Sequence, residues 1–319
     1  MADADRKLSS VAILGIGAVT PLGRNLDVIA AKLKEPADPS DAVRQVSDEL
    51  LADTSLSRNL RRADRFTRMA VMAAVDAWKA AEAACIGVAL EHVGMILSSG
   101  FGPHCRGFKF LDGLIDEGDG ATSPTDFSHS VHGAALAYIS GLLDIRGPSL
   151  SVTDFEIGFE QSVQLAQCWL AEGMCDRVLI GAVDEVGEVL LHCASRMLNE
   201  AAEVSPGEGA MFMVLGPGGS SGAIAQLDAT TNPHAVDLLL SERPVVAVPS
   251  RGGPGVEAKE RATFTSYFGY STSTAAFQLL GGLLRLRETG VSESIDNAAT
   301  LRTSSDAQLA TMLLERISR

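Results

Sequence analysis

The fold of this chain is decided by one stretch, Gly147-Pro148-Ser149-Leu150-Ser151-Val152-Thr153-Asp154-Phe155-Glu156-Ile157-Gly158. It predicts a short buried strand that runs into a sharp turn and then into a helix. This geometry presents one side chain at a helix N-terminus, where enzymes often hold a nucleophile. The apex residue is Glu156, and neither cysteine nor serine occupies that position. The stretch therefore indicates the architecture of an enzyme site without its nucleophile.

Apolar strands alternate with amphipathic helices on both sides of this stretch. Residues 11–17 predict a buried strand, and apolar positions at helical spacing predict a long helix from Asp64. This alternation predicts an α/β protein with mostly parallel, buried sheets. The glycine-rich segment 216–222 is the clearest internal boundary. We therefore predict an N-terminal half over residues 1–216 and a shorter C-terminal half over residues 223–319.

The C-terminal half has fewer clear signals. Strands are predicted over residues 223–227 and 245–248, followed by an apolar helix over residues 272–288. The apolar spacing of residues 305–317 predicts a final amphipathic helix.

Composition limits the classes of function. The chain has 319 residues, of which 46% are hydrophobic, and a formal net charge of -14. This acidic balance argues against nucleic acid and anionic membrane as partners. No apolar run approaches the ~20 residues that span a bilayer. Residues 1–7 are polar and lack the apolar core of a secretory signal, so we expect a cytoplasmic protein.

The sequence predicts neither a metal nor a cofactor. The five cysteines are odd in number and form no Cys-x-x-Cys motif, which argues against a disulfide framework or a zinc knuckle. His129 and His132 could form a metal pair, but no third ligand is evident, so structural roles are expected. Gly15 and Gly17 are out of register for a dinucleotide fingerprint. A cluster of arginines predicts a solvated helix face, or a docking patch for an acidic partner: Arg58, Arg61, Arg62, Arg65 and Arg68.

Five ordered segments together resemble the β-ketoacyl synthases of the thiolase fold. They are residues 11–23, 64–70, 98–102, 127–135 with 145–152, and 207–210. The resemblance covers roughly residues 11–215, is thin over residues 223–290 and is absent afterwards. It implies a layered α-β-α-β-α fold built from two pseudo-repeated halves, of which the C-terminal half is truncated.

Active members of that family carry the acyl chain on an elbow cysteine, assisted by two histidines and a lysine. The resemblance places these positions on Glu156, on Pro249 or Ser250, on Tyr270 and on Thr265. A glutamate forms no stable acyl thioester, and a catalytic unit that has lost every member retains little activity. The resemblance thus implies degenerate positions at Glu156, Ser250, Thr265 and Tyr270, with no catalytic residue.

Within the family, this pattern resembles the chain-length factor, the β subunit of bacterial type II polyketide synthases. That subunit forms a heterodimer with an active ketosynthase α subunit and shapes the tunnel for a polyketide tethered to acyl carrier protein by phosphopantetheine. Many chain-length factors hold glutamine at the elbow, so Glu156 is a departure. The short C-terminal half is a second departure and suggests aryl-polyene or other non-actinomycete systems. Antibiotic or pigment biosynthesis is the implied setting.

The family places tunnel and interface residues after the glycine turn and near the elbow. The corresponding positions are Phe101, Cys105, Phe108, Tyr138 and Phe155. Ordinary core packing is the alternative interpretation of these side chains. Two other functions remain open. Glu156 could serve a malonyl-acyl-carrier-protein decarboxylase that supplies starter units, or the chain could be a scaffold that only stabilises its partner.

Overall fold

The computed structural model describes the greater part of the chain. The described residues are 9–37, 43–52, 56, 58–118, 120, 122–197, 205–229, 235–240, 257–287, 296–303 and 309–317. Pro249, Ser250 and the strand predicted over residues 245–248 therefore lie outside the described residues.

Ten described strands form one mixed sheet. They are β1 (Val11–Val19), β2 (Val93–Ser99), β3 (Ser149–Thr153), β4 (Arg177–Asp184), β5 (Gly209–Pro217), β6 (Ala225–Asp228), β7 (Ala235–Leu240), β8 (Glu257–Ala262), β9 (Asn297–Thr303) and β10 (Leu309–Arg316). Their order across the sheet is β3-β2-β4-β5-β1-β6-β10-β9-β7-β8. Five neighbouring pairs are antiparallel and four are parallel, so the prediction of mostly parallel sheets is wrong.

The sheet consists of two halves with the same topology. The first half runs β1-β5-β4-β2-β3, and the second runs β6-β10-β9-β7-β8. In each half the first two neighbouring pairs are antiparallel and the last two are parallel. The halves meet where β1 pairs antiparallel with β6. This repeat of strand order and direction confirms the predicted pseudo-repeated halves, while their division at residues 216 and 223 as domains stays a prediction.

Eleven α-helices are described. They are α1 (Leu26–Lys32), α2 (Asp48–Leu51), α3 (Arg65–Ala80), α4 (Glu82–Cys85), α5 (His104–Glu117), α6 (Pro124–Ser130), α7 (Ala134–Leu143), α8 (Gly158–Ala171), α9 (Glu188–Met197), α10 (Thr265–Phe268) and α11 (Thr274–Arg287). None of these described helices is long and apolar enough to cross a membrane.

The long helix α3 covers one face of the first half-sheet. Asp64 caps it by accepting a hydrogen bond from the Thr67 N–H at 2.7 Å. The helix lies very close to β1 because two strand residues lack a side chain. A Cβ atom on Gly17 would come within 2.1 Å of the Ala73 carbonyl oxygen. Glycine is required there to seat the helix on the sheet.

Helices α8 and α11 occupy equivalent places in the two halves. α8 connects β3 to β4, and α11 connects β8 to β9. The two helices contact each other and pack on the same apolar cluster, which lies on the face of the first half-sheet away from α3. This central helix layer between two half-sheets is the arrangement that the predicted layered fold requires.

The C-terminal half is truncated because its connections are short. Residues 20–92 join β1 to β2 and include α3, whereas only residues 229–234 join the equivalent strands β6 and β7. Six residues cannot hold a helix of the 16 residues found in α3. The connection between β6 and β7 is therefore too short for a counterpart of α3.

The helix predicted over residues 305–317 is wrong, because this segment contains the strand β10. Met312 and Leu314 are buried while Glu315 is exposed, which is the period of a strand. Pairing with β6 and β9 buries these side chains, and the chain's local pattern contains no sign of those partners. Seven other described strands and α-helices were also not predicted: β7, β8, β9, α4, α6, α9 and α10.

Candidate functional site

The predicted elbow lies between β3 and α8. Asp154 closes it, because its Oδ1 atom accepts hydrogen bonds from the Glu156 N–H at 2.8 Å and from the Ile157 N–H at 2.7 Å. An aspartate that binds the backbone two residues ahead stabilises such a turn. Glu156 is half-buried and Phe155 is exposed. The strand, turn and helix are therefore present, with a carboxylate at the apex. The strand is not buried as predicted, because β3 is the edge strand of the described sheet and its residues are exposed or half-buried.

Thr265 and Tyr270, two of the positions expected to be degenerate, lie in the C-terminal half. Thr265 is buried, and its hydroxyl accepts a hydrogen bond from the Gln278 side-chain amide at 3.0 Å. Tyr270 is half-buried, and its N–H donates to the Ser205 carbonyl oxygen at 2.8 Å. The hydroxyl of Thr265 thus takes part in a local hydrogen bond. It cannot replace the imidazole of a histidine or the ammonium group of a lysine.

A buried carboxylate, Asp184, connects the two halves close to the elbow strand. It stands at the end of β4 and accepts hydrogen bonds from the Ser99 hydroxyl at 2.9 Å and from the Ser273 N–H at 2.8 Å. The hydroxyls of Thr272 and Ser273 also donate to it. Sequence reasoning missed this residue, because its partners lie 85 to 89 positions away.

A second buried carboxylate, Glu208, belongs to the segment 207–210 that carried part of the resemblance. It accepts hydrogen bonds from the Val46 N–H at 2.8 Å and the Val186 N–H at 3.0 Å, and it pairs with Arg65. The Arg65 side chain is therefore engaged in an internal ion pair. The interpretation of the arginine cluster as a wholly solvated face or docking patch is wrong for this residue.

An aromatic contact joins the elbow to the start of α5. The Phe101 ring lies 5.0 Å from the Phe155 ring and 5.8 Å from the His104 ring, measured between centroids. Phe108 is exposed further along the same helix. Tyr138, in contrast, lies on α7 and its hydroxyl is 3.2 Å from the His129 Nε2 atom. That pair lines an open cavity of about 470 Å³.

Three potential metal ligands meet beside this aromatic contact. His104 and Cys105 begin α5, and Glu185 follows the end of β4. The Cys105 sulfur lies 3.7 Å from His104 Nε2, and the Cys105 N–H donates to the Glu185 carboxylate at 3.0 Å. One donor atom from each residue lies within 4.8 Å of the other two.

This cluster contains perturbed groups. Burial, aided by the adjacent Glu185 carboxylate, raises the pKa of the Cys105 thiol to about 12. Burial also raises the pKa of Glu185 to about 7 and lowers the pKa of His104. Sequence reasoning singled out Cys105 alone. One feature of the sequence could have identified the other two residues: His104 and Glu185 each follow the end of an apolar strand, β2 or β4. Neighbouring parallel strands bring their carboxyl ends together.

Most of the exposed large apolar side chains belong to one stretch of the chain, which includes β3, α5 and α6. Of the eleven large hydrophobic side chains that are exposed among the described residues, seven lie between residues 108 and 155. They are Phe108, Leu111, Ile115, Phe127, Val131, Leu150 and Phe155. We call this set the β3–α5 face. Such a concentration marks an interaction surface more often than isolated exposed side chains do.

The β3–α5 face includes the edge of the sheet. Leu150 lies on β3, which among the described strands pairs with β2 alone. On α5, Phe108, Leu111 and Ile115 recur at helical spacing, so the helix carries an apolar stripe. The face therefore combines an apolar stripe with an edge strand that has one side available for pairing.

The family of β-ketoacyl synthase N-terminal domains matches residues 45–237, which is more than half of the chain. The search of curated protein sequences gave no match.

Solved structures share the fold at low sequence identity. The AntDE:AntF complex, a type II PKS acyl-carrier protein with its ketosynthase, is 17% identical with a TM-score of 0.79, covering 97% of this chain and 99% of that chain. A β-ketoacyl synthase from Burkholderia phymatum STM815 is 14% identical with a TM-score of 0.77, covering 97% and 100%. The ishigamide ketosynthase/chain length factor is 15% identical with a TM-score of 0.73, also covering 97% and 100%. These likenesses confirm the predicted thiolase-like α/β fold of the ketosynthases.

Proposed function

The chain belongs to the β-ketoacyl synthase family, and on that premise we propose that it is a non-catalytic chain-length factor of a type II polyketide synthase. It forms a heterodimer with an active ketosynthase and shapes the tunnel that receives the growing polyketide. The chain itself supplies no nucleophile. The observation that carries this proposal is the elbow, which keeps its strand, turn and helix but presents Glu156 where the family holds a cysteine.

The loss extends beyond the elbow. Thr265 and Tyr270 stand where the resemblance expects a lysine and a histidine. A glutamate, a threonine and a tyrosine cannot reproduce a thiol assisted by imidazole and ammonium groups. The partner ketosynthase must therefore provide the condensing chemistry.

The β3–α5 face supports the partnership. Its edge strand β3 can pair with a strand of another subunit, and the stripe on α5 offers apolar area beside it. Each Å² of apolar area that is buried contributes about 25 cal/mol of favourable free energy. Burial of this face would therefore favour association with another subunit. We assign it to the ketosynthase subunit.

The tunnel side of the proposal rests on the aromatic contact at the elbow. Phe101 and Phe155 touch each other, and Cys105 and Phe108 follow on α5. Their bulk would limit the volume open to the polyketide, which acyl carrier protein delivers on its phosphopantetheine arm. Tyr138 lies on α7 and contacts His129 on α6. We assign Tyr138 to the tunnel or the interface on the resemblance alone. A cytoplasmic location is proposed with the same partners.

Co-purification tests the proposal. The chain is co-expressed with a ketosynthase that has an intact cysteine and both histidines, and the mass of the product is measured by light scattering. We expect a one-to-one complex whose condensing activity disappears when the partner's cysteine is replaced. A stable, monodisperse monomer that forms no complex with such a ketosynthase would contradict the proposal.

Product length separates a tunnel subunit from a scaffold. Phe101→Ala enlarges the space beside the elbow and Phe108→Ala removes bulk from α5, so longer or altered products are expected from the complex. Unchanged product length with full activity in both variants would show that the chain only stabilises its partner.

A further inference from the structure

We propose that His104, Cys105 and Glu185 form a zinc-binding site with three protein ligands and a fourth position open to solvent. This inference does not rest on the proposed function: none of the three residues stands at a degenerate catalytic position, and only Cys105 is also assigned to the tunnel. The cluster of their donor atoms, within 4.8 Å of one another, is its starting point.

The donor set suits zinc. Zn²⁺ is commonly bound by thiolate, imidazole and carboxylate ligands in tetrahedral geometry. With roughly 2.0–2.3 Å from metal to ligand, tetrahedral donor atoms stand about 3.3–3.8 Å apart. The 3.7 Å between Cys105 Sγ and His104 Nε2 already falls in that range. A thiolate, a carboxylate and a neutral imidazole together carry two negative charges, which Zn²⁺ balances.

The surroundings orient the ligands. His104 Nδ1 lies 3.4 Å from the Gly102 carbonyl oxygen and 3.9 Å from Glu185 Oε1. In the tautomer that donates from Nδ1 to Gly102, Nε2 keeps its lone pair for a metal. Metal-binding histidines typically donate their second ring N–H in this way. The Cys105 N–H holds the Glu185 carboxylate at 3.0 Å. Two of the three side chains are almost fully buried, since the exposed fractions are 6% for His104 and 3% for Glu185.

Gly187 keeps the space beside the donors open. A Cβ atom at that position would come within 2.3 Å of Cys105 Sγ and 2.6 Å of His104 Nε2. Because these are the two donor atoms facing each other, only glycine leaves room for an ion next to them. Cys105 is exposed on the outer side of the cluster, which leaves the fourth ligand position to water.

The site spans two strand ends that the sheet fixes in position. β2 and β4 are parallel neighbours, and the cluster lies just beyond their carboxyl ends. His104 and Cys105 follow the first strand, and Glu185 follows the second. A bound ion would cross-link the start of α5 to the end of β4, so zinc is expected to stabilise the fold as well.

Zinc content measured by mass spectrometry tests the site on the full chain, purified alone or with its ketosynthase. We expect one zinc per chain in the wild type and in Cys168→Ser, a matched thiol control on α8. Cys105→Ser and Glu185→Gln should each lower zinc affinity by at least about tenfold. Gly187→Ala, which alters no ligand, should weaken zinc binding as well. Any zinc bound by a ketosynthase partner is the same in all samples, so the zinc content of each variant is compared with that of the wild type.

Cobalt gives a second readout that does not depend on activity. Co²⁺ bound by the chain should show a thiolate-to-metal charge-transfer band that is retained in Cys168→Ser and lost in Cys105→Ser. Thermal unfolding of each variant in a chelator shows whether it still folds. Substoichiometric zinc in the wild type, or one zinc retained by folded Cys105→Ser, would overturn the inference.

Discussion

The hydroxyl of Thr272 donates a hydrogen bond to the buried carboxylate of Asp184, and this contact ties the C-terminal half to the end of β4. Ser273 reinforces the tie with its N–H and its hydroxyl, each at 2.8 Å from the same oxygen. The loop that follows Tyr270 is thereby held beside Ser99, at the carboxyl end of β2. The loop after Tyr270, a position that we propose is degenerate, thus has a hydrogen-bonded frame around Asp184.

Asp184→Asn should destabilise the chain by about 2–4 kcal/mol, because an amide N–H₂ would face donors that now bind a carboxylate oxygen. Thermal or denaturant unfolding measures the change. The exposed Asp144, which pairs with Arg146 and has a left-handed backbone that asparagine tolerates, gives a matched control. Asp144→Asn should leave stability nearly unchanged. Equal effects of the two substitutions would contradict the importance of the Asp184 frame.

Arg65→Met should destabilise the chain by about 2–4 kcal/mol, because it leaves the fully buried Glu208 carboxylate without its cation. Methionine keeps the apolar stem, so the loss reports on charge. Arg285→Met removes an arginine from the more exposed pair with Glu260 and should cost less than about 1 kcal/mol. The denaturant midpoints of both variants are compared with that of the wild type. An unchanged midpoint in Arg65→Met would show that the Glu208 carboxylate does not need this cation.

Leu150→Arg should abolish co-purification with the ketosynthase, because it places a charge on the edge strand that belongs to the β3–α5 face. The variant should remain folded, since Leu150 is already 45% exposed. Ile86→Arg is the control, as Ile86 is 81% exposed and lies outside that face. Size-exclusion chromatography of the co-expressed pair gives the readout. A complex that survives Leu150→Arg unchanged would place the interface elsewhere.

Glu156→Ala should leave carbon dioxide release from malonyl-acyl carrier protein unchanged in the complex, because the subunit has no catalytic role in our proposal. A starter-unit decarboxylase makes the opposite prediction. In that case the chain alone would release carbon dioxide and Glu156→Ala would stop it. Labelled malonyl-acyl carrier protein, assayed with the chain alone and with the complex, distinguishes the two functions.

Much of the N-terminal half could be predicted from local pattern. The cap at Asp64, the apolar stripe of α3 and the buried strands β1, β2 and β4 follow from periodicity and punctuation in the sequence. Such elements bury their apolar side chains in a regular pattern, so composition and spacing carry the signal. The elbow was predictable for the same reason, since a strand, an aspartate turn and a helix follow one another within the stretch 149–171.

Only part of the candidate site could be predicted from the sequence. The sequence predicts no metal site, because its cysteines form no Cys-x-x-Cys motif and His129 and His132 lack a third ligand. Cys105 and Glu185 lie 80 residues apart, so their spacing gives no sign that they meet. The pairing of β2 with β4 brings them together. Phe101 and Phe155 meet by the same route, through the adjacent strands β2 and β3.

The sequence by itself determined most strands of the N-terminal half, the long helix α3 and the carboxylate at the elbow, because these depend on residues close together in the chain. Only the tertiary structure decided that residues 309–316 form a strand, that Asp184 joins the halves, and that His104, Cys105 and Glu185 share one site. These features depend on strand pairing between distant segments. Pairing energy and burial arise from the partner, and a single segment carries no record of which partner it will meet.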